Sequence, residues 1–165
     1  RLVHKKGVDV LLKAMKNLDA DLLLEGNGEE MENLVRLTKD LGIENKIHFT
    51  KGQLNLLEKT AYMKGADAVV IPSRIEPFGI VALEALASGV PLVASNVGGM
   101  KEFLKNDYNA LLFESEDVPK LTQKINNVIH NKQLKSKLVK GAMQTVVNYD
   151  IKSIHKQYLE LYKNV

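Results

Sequence analysis

Residues 66–95 read ADAVVIPSRIEPFGIVALEALASGVPLVAS, and their pattern decides the fold. "DAVVIPS" from Asp67 and "PLVAS" from Pro91 are short, almost continuously apolar runs. Such runs suit parallel strands covered on both faces. Between them, Phe78 to Ser88 is rich in Ala and Leu and predicts a helix. Strand, loop, helix and strand in this order make a βαβ unit. Two glutamates interrupt it. Glu76 stands before a Pro-Phe-Gly turn, and Glu84 sits among Val81, Ala82, Leu83, Ala85, Leu86 and Ala87. An ionised carboxylate in apolar company costs several kcal/mol unless it is paired or hydrogen-bonded.

The same alternation extends in both directions. Further strands are expected at "DLLLEG" from Asp21, "KIHFT" from Lys46 and "ALLF" from Ala110. Helices are expected over Val8 to Leu18, Glu29 to Leu41, Leu54 to Lys64, Met100 to Leu104 and Pro119 to His130. After Phe113 only helices follow, and in the last of them Ile151, Ile154, Tyr158 and Leu161 share one face. The expected fold class is α/β: a doubly wound, Rossmann-like, mostly parallel sheet flanked by helices, in one domain of 165 residues.

Ligands of such sheets bind beyond the carboxyl ends of the strands. That directs attention to Gly26-Asn27-Gly28, Thr50 to Leu54, Ser73 to Gly79 and Ser95 to Gly99. Pro77 and Phe78 suit the first turn of a helix. The N–H groups of Phe78, Gly79 and Ile80 would then be free donors at its positive end, which suits a phosphate. Glu84, one to two turns on, reaches back toward the same mouth. Two readings stand for it: a hydrogen-bond acceptor for the vicinal diol of a ribose, or the partner of a buried lysine or arginine.

Composition narrows the classes. The chain is 45% hydrophobic and 26% charged, with a net charge of +3, and its lysines are spread along helical stretches rather than clustered. A nucleic-acid surface is not expected from that distribution. There is no cysteine, which excludes disulfides and thiolate metal sites. No apolar run approaches the ~18 residues of a membrane-spanning helix.

At "EPFGIVALE" the match to a family becomes specific. Two glutamates separated by seven residues, followed by "ASGVPLVAS" and "VGG", resemble the signature of the group 1, family 4 retaining glycosyltransferases. "RLVHKKGVDVLLKA" resembles that family's opening element, and "LLLEGNGEEMENL" its strand-GxG-helix unit. The resemblance covers essentially the whole chain. It implies the carboxyl-terminal, donor-binding half of a GT-B fold, with the amino-terminal acceptor domain and the first strand absent from this chain.

The resemblance also implies roles. Glu84 would hold the ribose hydroxyls, while Glu76, with Phe78, Gly79 and Ile80, would face the transferred sugar and the diphosphate. Arg1 and Lys6 match the arginine and lysine that clamp the diphosphate, in place of a metal ion. Gly26, Gly28, Gly98 and Gly99 would bring backbone close to the donor. No cofactor is implied; the donor is a nucleotide-diphosphate sugar, UDP or GDP, and the acceptor a sugar, lipid or polysaccharide hydroxyl. The location implied is cytoplasmic, or peripheral at a membrane through the full-length protein. The alternatives are a nucleotide-sugar epimerase of the same fold and a non-catalytic nucleotide-binding module.

Weaker signals are read plainly. Met31 stands where a dinucleotide fingerprint needs its third glycine, so NAD is not indicated. Glu102 is expected to cap the first turn of its short helix. His4, His48, His130 and His155 are expected to be surface or structural.

Overall fold

A computed structural model describes residues 1–50, 52 and 54–163. Five parallel strands and seven α-helices alternate through it. In order they are α1 (Val8–Met15), β1 (Leu22–Leu24), α2 (Met31–Leu41), β2 (Ile47–Phe49), α3 (Leu56–Gly65) and β3 (Val69–Ile71). Then come α4 (Ile80–Ala87), β4 (Leu92–Ser95), β5 (Leu111–Phe113), α5 (Val118–His130), α6 (Lys132–Val146) and α7 (Ile151–Lys163).

The strands fall into two hydrogen-bonded groups, β1-β2 and β3-β4-β5. Register is Leu22 to Ile47 in the first, and Val69 to Leu92 and Val93 to Leu111 in the second. All four residues of β4 are buried, as a central strand covered on both faces must be. Alternation along it separates the layers. Val93 joins a core with α1, α5, Leu24, Ile47, Leu111 and Phe113. Leu92 and Ala94 join the opposite core, with Ile71, Ala82, Leu86, Met100 and Phe103.

Residues 1–7 cross the carboxyl ends of both groups. Leu2 N–H donates to the Asn27 carbonyl after β1 at 2.9 Å, and the Lys5 carbonyl accepts from Arg74 N–H after β3 at 2.8 Å. Gly28 lets the first of these contacts close, because a Cβ there would lie 2.1 Å from the Leu2 carbonyl oxygen.

Two expectations are corrected. The helix expected from Met100 to Leu104 is a 3-10 turn over Gly98–Glu102, and Glu102 ends it, exposed, instead of capping its first turn. Helix α4 starts at Ile80, not Phe78: Gly79 caps it with φ of 102°, a left-handed conformation that no helix interior contains. Of the expected face on α7, the side chains of Ile151, Ile154 and Tyr158 lie outside the described residues, while Leu161 is 64% exposed. No helix among the described residues is long and apolar enough to cross a membrane.

The loop before β5 is held against α6 by Asn109, whose amide donates to the Phe103 carbonyl at 2.7 Å and to Thr145 Oγ1 at 2.9 Å. Gly141 of α6 faces this loop. In an exposed helix Gly→Ala stabilises by about 1 kcal/mol. Here the added Cβ would lie 2.1 Å from the Tyr108 carbonyl oxygen. Gly141→Ala should therefore lower stability, by about 1–3 kcal/mol for an overpacked site; a raised urea midpoint would contradict the packing.

Candidate functional site

The carboxyl ends of the strands gather residues 1–7, 26–30, 73–79 and 95–99 around one open cleft. It has a volume of about 590 Å³ and is lined by Arg1, Val3, His4, Lys5, Lys6, Glu29 and Pro77. Arg1, Lys5 and Lys6 outnumber the one lining carboxylate, Glu29, although Lys6 is paired with Glu76 behind it, and this excess favours an anion. A second hollow of equal volume lies at the α5–α6 junction, lined mostly by amides and far from these loops in the chain.

Glu76, only 9% exposed, stands behind the Lys6 that lines the cleft. Its Oε2 accepts from Lys6 Nζ at 2.6 Å and from Ser73 Oγ at 3.3 Å. Ser73 is itself placed by Ser95 Oγ, which donates to the Ser73 carbonyl at 2.5 Å. The Glu76 backbone is pinned too, its carbonyl accepting from Gly99 N–H at 3.0 Å. Gly98 is required there: its φ is 52°, and a Cβ would lie 1.9 Å from that carbonyl oxygen.

The start of α4 forms the next element. Its first internal bonds run from Ala82 and Leu83 N–H to the Gly79 carbonyl, at 2.9 and 3.1 Å. Ile80 and Val81 N–H are orphan donors at this helix end, the first of them within the expected Phe78 to Ile80. Phe78, Ile80 and Val81 are 42, 64 and 44% exposed and form an apolar rim.

Glu84, on the second turn, has an asymmetric carboxylate. Oε1 accepts from Lys59 Nζ of α3 at 2.7 Å. Oε2 is sealed from solvent and has no hydrogen-bond partner. The lysine partner that the sequence allowed is thus present on one oxygen, and the other is buried without a partner.

The remaining expected residues are placed as follows. Arg1 is exposed on the cleft and Gly26 lies beside it, with a φ of 128° and a built Cβ 3.7 Å from Arg1 N. The room left by Gly28 is taken by Leu2. All four histidines are exposed. Among the described residues no three His, Cys, Asp or Glu side chains gather in a way that could hold a metal ion. Of the loop Thr50 to Leu54, Lys51 and Gln53 lie outside the described residues.

A family model described as glycosyl transferases group 1 matches residues 1–145. The chain belongs to that family. A glycosyltransferase of Methanocaldococcus jannaschii is 34% identical over 99% of this group 1 chain and 43% of its own length. The lipopolysaccharide core glycosyltransferase LpsE of Rhizobium meliloti is 29% identical over 98% of the chain and 47% of its own. The chain therefore spans under half the length of these relatives. Among solved structures, Anabaena HepE in complex with UDP superposes with a TM-score of 0.92 at 26% identity, covering all of this chain and 47% of that one. Sucrose-phosphate synthase of Thermosynechococcus elongatus gives 0.89 at 26% identity, covering 99% and 43%. The fold is that of the GT-B glycosyltransferases.

Sequence reasoning missed three side chains of this group 1 site: Ser73, Lys59 and Arg74. Arg74, inside the quoted stretch, is fully engaged by the protein. Its guanidinium donates to both oxygens of Asp9, at 2.7 and 2.9 Å, to the His4 carbonyl at 2.8 Å, and to Glu116. It thus ties the loop after β3 to the start of α1 and to the loop after β5. Hydrogen bonding from Arg74 holds the Asp9 carboxyl down at about 2, against partial burial and with help from Lys13; the Asp9 bond in turn pushes Arg74 up.

A carboxyl with a depressed folded-state value stabilises the fold where it is ionised, and that contribution vanishes as pH falls through the folded value. Asp9 should therefore give wild-type protein a loss of stability between about pH 4 and pH 2 that Asp9→Asn lacks, with the variant less stable at pH 7. Urea midpoints across that range read it; parallel pH profiles would sink it.

Proposed function

We propose that this chain is the donor-binding domain of a retaining glycosyltransferase, which moves a sugar from a nucleotide diphosphate to an acceptor hydroxyl. The observation that carries this reading is the pair of carboxylates flanking the start of α4. Glu76 is neutralised by Lys6 at the cationic cleft, and Glu84 keeps a buried oxygen without a partner. A diphosphate between Arg1, Lys6 and the Ile80–Val81 helix end would place its ribose over Glu84 and its sugar near Glu76.

Chemistry follows from that placement. The bond between the anomeric carbon and the diphosphate oxygen breaks, and the electron pair leaves with the phosphate. Arg1, Lys6 and the helix-end N–H groups stabilise the growing charge without a metal ion. The acceptor oxygen forms its bond on the same face, and its proton passes to the departing phosphate oxygen. Lys6 uses one of its three N–H groups on Glu76, so it can bridge carboxylate and phosphate together.

The donor nucleotide is UDP or GDP on this reading, and UDP is supported by HepE, which was solved with UDP and with UDP-glucose. The acceptor, a sugar, lipid or polysaccharide hydroxyl, would be held by an amino-terminal domain, and the enzyme would work in the cytoplasm or at the membrane face. A further strand would lie between β1 and β3. In its support, each of these strands pairs on one side only among the described residues, and residues 1–7 join their carboxyl ends.

Calorimetric titration of the intact protein with UDP, GDP and ADP tests the reading. One diphosphate should bind, and Glu84→Ala should weaken it roughly ten- to a hundredfold, the ~1.5–3 kcal/mol of charge-assisted bonds to a diol. Unchanged affinity in the folded variant would overturn the assignment of Glu84.

A further inference from the structure

The acids of this chain are unevenly placed. Residues 1–117 hold 14 lysines and arginines against 18 acids, a net charge of −4. Residues 118–165, from the start of α5 onward, hold nine lysines, no arginine and two acids, a net charge of +7. Such asymmetry within one chain marks a surface for a polyanion or an anionic membrane. Helix α6 lies at the centre of it, with four lysines and no acid. Leu138, Gly141 and Ala142 are its buried side. Gln133, Ser136, Lys137, Lys140, Met143 and Gln144 form the exposed side, and Val147, in the 3-10 turn that continues the helix, extends it.

Two lysines of this half meet acids: Lys135 is paired with Asp67, and Lys124 lies 3.9 Å from Asp107. Lys137 and Lys140 are exposed and have no ion pair among the described residues. Beside them Met143 is 41% and Val147 64% exposed, so the outer face of α6 is cationic and apolar at once. The helix lies across the amino ends of the second strand group. Lys135 meets Asp67 ahead of β3, Met143 Cε lies 3.0 Å from where a Gly89 Cβ would stand ahead of β4, and Gly141 confronts the Tyr108 carbonyl ahead of β5. The cleft lined by Arg1 and Lys6 opens at the carboxyl ends, so a surface held against α6 leaves it free.

We propose that the outer face of α6 is a membrane-docking surface that rests on anionic lipid headgroups. Lys137 and Lys140 supply the attraction to the headgroups. Met143 and Val147 enter the interface between headgroup and acyl chain beside them. Lysine, a hydrated point charge on a flexible stem, suits a diffuse anionic surface; bidentate recognition of single phosphates would call for arginine, which this part of the chain lacks. A soluble polyanion answers the lysines but leaves the two apolar side chains in water, whereas a lipid interface answers both. The inference gives a face to the membrane location raised above and stands apart from the nucleotide reading.

Co-sedimentation of the intact protein with phosphatidylcholine vesicles, with and without phosphatidylglycerol, tests this. Wild type should bind the anionic vesicles alone, and less as salt rises. Lys137→Gln together with Lys140→Gln should weaken that binding about twentyfold, since each lysine near an anionic surface contributes about fivefold. The same loss of two charges at Lys39 and Lys64, exposed on α2 and α3, should weaken it far less. Val147→Ser should weaken vesicle binding several-fold and leave binding to heparin, a soluble polyanion, unchanged. Every substituted side chain is exposed, so urea midpoints should stay at the wild-type value and the comparison is between folded proteins. Absence of binding to anionic vesicles, equal binding to neutral ones, or equal losses from the two lysine pairs would overturn the assignment of α6. If heparin binds and Val147→Ser leaves vesicle binding unchanged, the face is a site for polyanions in general and the lipid proposal falls.

Discussion

Two carboxylates held at the carboxyl ends of a parallel sheet must be compensated, and this constraint organises the site. The Glu76 carboxylate is nearly buried and the Lys59–Glu84 pair only partly so, and the more deeply a carboxylate is buried the more its unpaired charge costs. Each counter-charge comes from a different part of the chain. Lys6 reaches Glu76 from the turn before α1, and Lys59 reaches Glu84 from α3. Compensation therefore doubles as assembly: the loops cannot splay apart without leaving a negative charge unpaired. Arg74 repeats the device one layer below, where its fork joins Asp9, Glu116 and the His4 carbonyl.

Backbone geometry does the rest of the positioning. The loop carrying Glu76 lies against Gly98 and Gly99 so closely that neither has space for a side chain. That approach fixes the Glu76 backbone, while Ser73 and Ser95 fix the side chain through a short relay. Gly79 then turns the chain abruptly into α4, and this sets both the direction of the helix end and the angular position of Glu84. Helix, carboxylates and glycine turn are thus one unit, reading from Ser73 to Gly99.

Much of this unit could be read from the sequence because its cues are local. The apolar runs at "VVI" and "LVAS", the intervening helix and the glutamate pair lie within 30 residues of one another. The start of α4 was misplaced by two residues because Pro77 carries a helix-start signal, and the left-handed turn at Gly79 overrides it. Lys59 was not readable at all. It lies 25 residues from Glu84, and its helix looks like any solvated, lysine-bearing one until α3 is set beside α4. Arg74 was hidden for the same reason, its partners standing 65 and 42 residues away. Nor does local pattern reveal that the five strands separate into two groups, since periodicity marks strands but not their neighbours.

The distribution of charge across the site also has a direction. Cations collect on residues 1–6, where Arg1, Lys5 and Lys6 line the open cleft. The acidic groups lie beyond them, Glu76 paired with Lys6 and Glu84 with Lys59. A nucleoside diphosphate has the complementary order: anionic phosphates, then a ribose that presents hydroxyl donors. A free phosphate could satisfy the cleft but leaves Glu84 Oε2 unpartnered, and a neutral sugar could reach the carboxylates but leaves the cations without an anion. A ligand with both chemistries in sequence matches this order of charge, and that match is what the proposed donor site rests on.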